Sequence, residues 1–296
     1  MKDYIIRGID GKKSFRVFVV SSTNLVERSR NIHNTSPTAT AALGRALTAA
    51  VIMGGTMKET SDILTFKVKG DGPIGNIITV ANNSGEVKGY VDNPYVDLPS
   101  RADGKLDVGG IVGKNGQLAV IRDLGLKEPY IGLSNLVSGE IAEDLAYYYQ
   151  VSEQTPSAVA LGVLVDVDNS ILAAGGFIIQ LMPDTSEEMA DELESRINAL
   201  PSLSELIRDG ELPEDILGKI LGDFEMVVHE KIPVEFHCPC SKSRLEKVLI
   251  SLGQKELDEI IAEENGAQLI CHFCAEEYDF SNDELKTLIQ EVTEQK

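Results

Sequence analysis

The chain has 296 residues, 43% of them hydrophobic, which is enough for two domains with a substantial core. Its 47 acidic residues outnumber its 27 basic residues and give a formal net charge of −20, which excludes a protein that depends on attraction to nucleic-acid phosphates. No apolar run reaches the roughly 18 residues of a membrane span, and the first twenty residues carry charges where a signal peptide would be apolar. We therefore predict a cytoplasmic protein, with neither nucleic acid nor a membrane as a partner.

The sequence predicts a chain of the α+β class, in which residues 1–183 form an N-terminal α/β core domain with an antiparallel, hairpin-rich sheet. Turn sequences at 82–85 and 168–169 separate runs that are rich in β-branched residues, as expected of hairpins. The predicted strands are 15–20, 63–68, 77–81, 87–91, 118–122, 159–167 and 171–181.

Two helices are predicted in the same domain. Ser36 followed by Pro37 is a helix start signal, and the Ala- and Leu-rich sequence after it predicts a helix to about Met57. A second helix is predicted over 138–151, where apolar residues recur at helical spacing. Of the three consecutive tyrosines at 147–149 in this helix, we expect at least one to pack inward.

Residues 184–230 form a predicted amphipathic acidic linker. Thr185 and Glu188 match a capping box, and apolar residues then fall on one helical face until Pro201 interrupts the pattern. Fourteen acidic and three basic residues lie in this segment, so it carries over half of the net charge. We expect a marginally stable helical region that needs a surface to pack on.

All four cysteines lie in a predicted C-terminal domain, 231–296. They form two close pairs thirty residues apart: Cys238, Cys240, Cys271 and Cys274. Four thiolates in such pairs suit one tetrahedral Zn²⁺ ion, with bonds of about 2.3 Å. About sixty-five residues give only a thin hydrophobic core, so folding of this domain should depend on the metal.

The spacing leaves the role of the cysteines open between a static zinc ribbon and a redox switch. A reducing cytosol disfavours permanent disulfides. Disulfides within each pair would close short loops and leave the oxidised domain unfolded, whereas a bridge between the pairs would preserve its fold. His237 and His272 flank the cysteines as substitute ligands, but with four thiols present a four-cysteine site is favoured.

Other motifs do not support catalysis. Residues 70–75 have the glycine spacing of the Gly-x-Gly-x-x-Gly motif that binds dinucleotides. The sequence after them is β-rich, however, where that motif requires the start of a helix. Asp166, Asp168 and Asn169 lack the remaining ligands of a calcium loop and are interpreted as a hairpin turn. The sequence around His33 lacks the motif of a catalytic nucleophile that this histidine could activate. We predict that the protein is not an enzyme.

Long strings of the sequence are similar to those of the heat shock protein 33 family, the redox-regulated bacterial holdase chaperones. The resemblance covers essentially the whole chain and includes the spacing of both cysteine pairs. The strings that carry it are residues 138–149, 152–162, 175–183 and 235–241.

This resemblance implies a redox-regulated, ATP-independent chaperone that prevents aggregation of thermally unfolding and oxidatively damaged proteins. It implies that the four cysteines bind one zinc ion in the reduced, inactive form. Oxidative stress would form the disulfides Cys238–Cys240 and Cys271–Cys274, release zinc and activate the protein. The active form is implied to be a homodimer.

Met189, Leu193 and Ile197 are candidate client-binding residues. We hypothesise that their helical face, with the β surface that it covers, becomes accessible on activation; alternatively they belong to a permanent core. Two other functions remain open from the residues alone. One is an interaction module with a purely structural zinc ribbon, and the other is a thiol-disulfide oxidoreductase that uses Cys271 and Cys274.

Overall fold

The computed structural model describes residues 2–183, 185–222, 224–264 and 266–294. The chain divides into two compact units, Met1–His237 and Cys238–Lys296. Asp184, the predicted start of the acidic linker, lies outside the described residues, and the three-part division at 183 and 230 stays a prediction. Among the helices described, none is both long and apolar enough to cross a lipid bilayer.

The first unit contains eleven described strands and seven described helices. The strands are β1 (Tyr4–Asp10), β2 (Phe15–Ser21), β3 (Ile63–Lys69), β4 (Asn76–Ala81), β5 (Glu86–Val91), β6 (Gln117–Asp123), β7 (Tyr130–Asn135), β8 (Ser157–Val165), β9 (Ile171–Leu181), β10 (Met226–Pro233) and β11 (Glu235–Phe236). The helices are α1 (Thr23–His33), α2 (Pro37–Gly54), α3 (Val108–Val112), α4 (Ala142–Val151), α5 (Glu187–Asn198), α6 (Leu203–Arg208) and α7 (Pro213–Leu221).

The strands of the first unit form two sheets. Sheet A has the order β10-β1-β2-β9-β8, with every neighbouring pair antiparallel. Sheet B has the order β11-β5-β4-β3-β6-β7 and is antiparallel except where β11 joins β5 in parallel. These sheets and their helices confirm the predicted mixed α+β fold with antiparallel hairpins.

Helix α2 is the centre of the main core. It is buried along nearly its whole length and packs against strands of both sheets. Its sequence is apolar on all sides and rich in alanine, as expected of a helix surrounded by protein. Ser36 caps it by accepting a bond from the backbone of Ala39, and Pro37 stands in the first turn, as predicted. The helix ends at Gly54, three residues before the predicted Met57.

Helix α4 begins at Ala142, four residues later than predicted. The carboxylate of Asp144 explains the shorter helix, because it accepts bonds from the backbone N–H groups of Val137, Ser138 and Ile141 at 2.7–3.0 Å. These bonds hold the preceding residues in a loop. Of the three consecutive tyrosines, Tyr148 and Tyr149 are buried and Tyr147 is exposed.

The acidic segment after residue 184 packs on the outer face of sheet A. The apolar sides of α5, α6 and α7 join buried residues of β1, β2 and β9 in a second core cluster. The capping box predicted at Thr185 and Glu188 is wrong, because the helix is capped one residue later by a single side-chain bond. Ser186 accepts the bond from Met189 N–H, and the Thr185 hydroxyl instead donates to the carbonyls of Ser14 and Met182.

The glycine-rich motif at 70–75 and the acidic motif at 166–169, neither of which was predicted to bind a ligand, are turns. A Cβ atom on Gly70 would lie 2.1 Å from the Val112 carbonyl oxygen, and one on Gly72 would lie 2.3 Å from that of Ile111. Glycine is therefore required there by the close approach of the end of α3. In the β8–β9 hairpin, Asn169 has a φ of 69° and donates its backbone N–H to the Asp166 carbonyl.

The second unit has three helices and a two-stranded antiparallel sheet. Its elements are α8 (Lys242–Leu252), α9 (Gln254–Glu264), β12 (Ala267–Ile270), β13 (Glu277–Phe280) and α10 (Asn282–Glu294). Its buried apolar side chains, among those described, are Leu249, Leu257, Phe280, Leu285 and Leu288.

Candidate metal centre

In the second unit, one cysteine pair lies just before a helix and the other lies in the turn of a hairpin. Cys238 and Cys240 directly precede α8, whose first turn is capped by Ser241 through a bond from Arg244 N–H. Cys271 and Cys274 lie in the turn between β12 and β13. The pairing of β12 with β13 closes this turn, so the local structure fixes the backbone on either side of each pair.

The four sulfur atoms converge. All of them lie within 4.8 Å of one another, and none belongs to a disulfide. The Sγ atoms of Cys238 and Cys271 are 3.8 Å apart, and those of Cys240 and Cys274 are 3.1 Å apart. A tetrahedral zinc ion with bonds of about 2.3 Å to sulfur separates its ligand atoms by about 3.8 Å. The contact between Cys238 and Cys271 matches this spacing, and that between Cys240 and Cys274 is shorter, so an ion would move the latter two sulfurs apart by a few tenths of an ångström. The donor set and its convergence fit a four-coordinate metal site.

The turn that carries Cys271 and Cys274 is a compact loop. The backbone N–H of Cys271 donates to the Glu276 carbonyl, and that of Ala275 donates to the Cys271 carbonyl, at 2.9 and 2.8 Å. Ala275 has a positive φ of 56°, which turns the chain back into β13. These bonds hold both thiols on the same side of the loop.

The thiols of this loop differ in acidity. Burial opposes ionisation of Cys271, but backbone N–H groups of Cys274 and Phe273 donate to its sulfur and lower the pKa of the thiol overall. The pKa of the Cys274 thiol is raised, first by burial and then by its contact with Cys240. One thiol therefore ionises readily while a close neighbour resists. A cation in the cluster would stabilise all four thiolates together.

Tyr278 is a member of the site that the sequence analysis missed. Its hydroxyl lies 3.1 Å from the Sγ atom of Cys240. This contact, followed by burial, raises the pKa of Tyr278. The phenol can donate a hydrogen bond to a Cys240 thiolate. The sequence feature that could have indicated this contact is the position of Tyr278, four residues after the last cysteine and at the start of a β-rich run.

The two flanking histidines do not join the sulfur cluster. Among the residues that the structure describes, the metal-ligating atoms that converge there are the sulfurs of the four cysteines. The ring of His237 lies instead with the carboxylates of Glu86 and Glu235 in the first unit. Elsewhere in that unit, the Nε2 atom of His33 lies 2.9 Å from the carbonyl oxygen of Gly89.

The three candidate client-binding residues lie on the inner face of α5. Leu193 is 3% exposed, and Met189 and Ile197 are half-buried beside it against the outer face of sheet A. This face lines a cavity of about 400 Å³ with residues of β8 and β9. The structure thus places these residues on a β surface, as the hypothesis requires, and their role in client binding stays a prediction.

Four half-buried thiols that could hold one metal ion, in a small unit that follows a larger α+β unit in the chain, define a protein with a converging cysteine module. The family model described as Hsp33 protein matches residues 3–281. The chain belongs to the Hsp33 family, as the sequence resemblance indicated.

Relatives and a solved structure agree with this assignment over the whole chain. The 33 kDa chaperonin of Desulforamulus reducens is 50% identical over 294 residues, covering 99% of both chains. That of Oceanobacillus iheyensis is 49% identical over 290 residues, covering 98% of this chain and all of the relative. The crystal structure of the 33 kDa chaperonin from Thermotoga maritima, a heat shock protein 33 homologue, superposes with a TM-score of 0.92. It is 38% identical and covers 99% of this chain and 100% of its own. These names support a chaperone function.

Proposed function

We propose that the protein is a redox-regulated, ATP-independent holdase that keeps thermally unfolding and oxidatively damaged proteins from aggregating. The observation that carries the proposal is the convergence of four sulfur atoms, none in a disulfide, within 4.8 Å of one another. Cys238, Cys240, Cys271 and Cys274 are the proposed zinc ligands of the reduced, inactive form. The cytoplasm, where thiols are kept reduced, is the proposed location.

Bound Zn²⁺ would hold the four sulfurs as thiolates and cross-link the start of α8 to the β12–β13 turn. The second unit needs such a link because few of its side chains are fully buried. The cysteine sulfurs are only half-buried, so a small oxidant can reach them. The same four atoms thus stabilise the unit and expose it to oxidation.

Oxidation is proposed to pair Cys238 with Cys240 and Cys271 with Cys274. In each pair two thiolates lose two electrons; with hydrogen peroxide and two protons, the products are one disulfide and two water molecules. In the folded unit the sulfur of Cys271 contacts that of Cys274 as well as that of Cys238, and the sulfur of Cys240 contacts that of Cys274. Since all four Sγ atoms lie within 4.8 Å of one another, local pairing needs no distant approach, and the short loops that it closes would leave the oxidised unit without a long-range cross-link.

The second unit is connected to the acidic segment through a short path along the chain. Strand β11 has two residues and is held to β5 by bonds from Glu235 N–H to Gly85 and from His237 N–H to Val87. Strand β10 precedes it, and α5–α7 precede β10. We expect disorder that begins at the cysteines to spread through β11 and β10 toward the helices that cover sheet A.

The surface that such a change would uncover suits clients. The α5 residues Met189, Leu193 and Ile197 and the apolar face of sheet A beneath them would become accessible to unfolded polypeptides. The high negative charge of the chain would keep this exposed state soluble. We propose that the activated form is a homodimer, which would present two such surfaces to one client.

The test measures zinc content and suppression of aggregation on the same sample of full-length protein. Reduced protein should contain one zinc per chain and protect a thermally unfolding substrate weakly, without ATP. After treatment with peroxide at raised temperature, the zinc should be lost and protection should rise at least tenfold. Peptide mapping should then find both local disulfides, and sedimentation should find a dimer.

The controls separate this proposal from the two alternatives. Equal protection by reduced, zinc-loaded protein and oxidised protein would contradict the switch and favour a structural zinc module. Repeated turnover in an insulin-reduction assay would indicate an oxidoreductase that uses Cys271 and Cys274. A variant with serine at all four cysteine positions should not respond to peroxide, which shows that the response depends on these thiols.

A further inference from the structure

A second group of metal-ligating side chains lies in the first unit. One carboxylate oxygen each of Glu86 and Glu235 and one ring nitrogen of His237 lie within 4.8 Å of one another. Glu86 is half-buried, and the other two residues are exposed to solvent. None of the three is a cysteine-site ligand, and the chaperone function above does not use them.

The backbone of sheet B brings these residues together. Strand β11 pairs with β5 in parallel, and the register sets Glu235 opposite Glu86. His237 follows Glu235 by two residues along an extended chain, so both side chains leave the same side of it. Bonds from Glu235 N–H to Gly85 and from His237 N–H to Val87, at 3.1 and 3.0 Å, fix this arrangement. The convergence therefore follows from strand pairing.

Asn82 orients one of the carboxylates. Its Nδ2 atom donates to Oε2 of Glu86 at 2.8 Å, while its Oδ1 atom accepts from Glu86 N–H at 3.2 Å. A carboxylate offers about four lone-pair positions on two oxygens, so this bond leaves Glu86 able to bind a cation. The ligand nearest to the core of the sheet is thus held in place before any ion binds.

The chemistry of the group favours a divalent transition metal ion. Two carboxylates directly opposite each other in a sheet repel, and one imidazolium neutralises at most one of them. A divalent cation neutralises both. One nitrogen and two oxygen ligands, with water in the remaining positions, suit Zn²⁺. Calcium and magnesium prefer oxygen ligands alone.

We propose that Glu86, Glu235 and His237 form a second Zn²⁺ site, separate from the four cysteines and weaker than them. The ion would link side chains of β11 and its following residue to a side chain of β5. The backbones of these two strands pair over only two residues. His237 is the last residue of the first unit. The site would therefore stabilise the point at which the chain leaves sheet B.

The test is a titration of reduced full-length protein that already holds zinc on its cysteines. Additional Zn²⁺ is followed by calorimetry and by the imidazole NMR signals of the histidines. We expect one further equivalent to bind and to shift the His237 signals. The variants His237→Gln and Glu86→Gln should each weaken this binding at least tenfold. His229→Gln, which replaces an exposed histidine of β10 outside the group, should not change it.

Several results would overturn the proposal. They are the absence of a second equivalent in the wild-type protein, or equal binding by the wild type and His237→Gln. Glu235→Gln changes an exposed side chain, so it provides a second ligand variant should Glu86→Gln fail to fold. Failure of the cysteine site would be recognised separately, because the protein would then contain no thiol-bound zinc before the titration begins.

Discussion

The two units of the chain are stabilised in different ways. The first has a continuous core around α2 and a second apolar cluster beneath α5–α7. Among its described residues, the second buries five apolar side chains in its core and gathers four thiols at one point. Packing can hold the first unit without a ligand, whereas a small unit with a thin core needs a cross-link. This difference allows one unit to unfold while the other persists.

The largest expected effect is the loss of the second unit on substitution of one cysteine. Cys240→Ser removes one of four proposed ligands and the sulfur that Tyr278 contacts. Zinc binding in small cysteine modules is worth about 10–16 kcal/mol, as much as the ~5–15 kcal/mol that stabilises a whole domain. We therefore expect residues 238–294 to lose their dispersed NMR signals and to be cleaved rapidly by protease.

The first unit should remain folded in the same sample, because its core does not include the cysteines. Ser251→Ala is the matched control in the second unit, since it removes an exposed hydroxyl that donates to the Val248 carbonyl, away from the cysteines. It should leave zinc content and protease resistance unchanged. A Cys240→Ser protein with a well-ordered second unit would show that this unit folds without the complete cysteine set.

A smaller loss of stability is expected on substitution of a residue between helix α5 of the acidic segment and sheet A, within the first unit. Leu193 is buried between α5 and sheet A, so Leu193→Ala should cost roughly 2–4 kcal/mol of local stability. Hydrogen exchange of α5 should accelerate accordingly. Glu194→Ala, at the next and exposed position of the same helix, should change it by less than about 0.5 kcal/mol. Equal exchange in both variants would mean that packing on sheet A does not hold α5.

The strands that the sequence predicted are those with regular alternation and a nearby hairpin partner. Strand β1 was not predicted although it forms a hairpin with β2, because the adjacent Ile5 and Ile6 and the following Gly8 break the alternation of its short sequence. Its other partner, β10, lies more than 200 residues further along the chain. Strand β7 was missed because Gly132 interrupts it. A Cβ atom there would lie 2.3 Å from the hydroxyl oxygen of Tyr148, so the glycine serves packing and not a turn.

The two metal-ligating groups also differ in how far the sequence alone predicts them. The cysteine cluster could be predicted because its spacing is itself the signal, and few other arrangements explain two close thiol pairs. The group formed by Glu86, Glu235 and His237 could not be predicted. It depends on the register of a parallel pairing between strands about 150 residues apart, and glutamate and histidine are common at exposed positions.

The smallest expected effect is a pH response that is opposite in the two units. Asp3 is buried in the first unit, and burial raises its pKa to about 6 although Leu25 N–H and the Asn24 side chain donate to it. Its carboxyl therefore stabilises the fold most when protonated, below pH 4. That contribution is lost as the pH rises through about 6, and two pKa units correspond to roughly 3 kcal/mol at most. Acid should instead weaken the second unit, because protons compete with a metal for the thiolates.

Between pH 7 and pH 5, protection against hydrogen exchange, measured relative to the intrinsic rate at each pH, should therefore increase in β1 and α1 while it decreases in α8 and the β12–β13 hairpin. Asp3→Asn removes the titrating group, so its first unit should show a flatter dependence on pH, whatever its absolute stability. Asp191→Asn, an exposed acid on α5, should keep the wild-type slope. If both units lost stability together on acidification, they would be coupled more tightly than their separate cores suggest, and the second unit would not unfold alone.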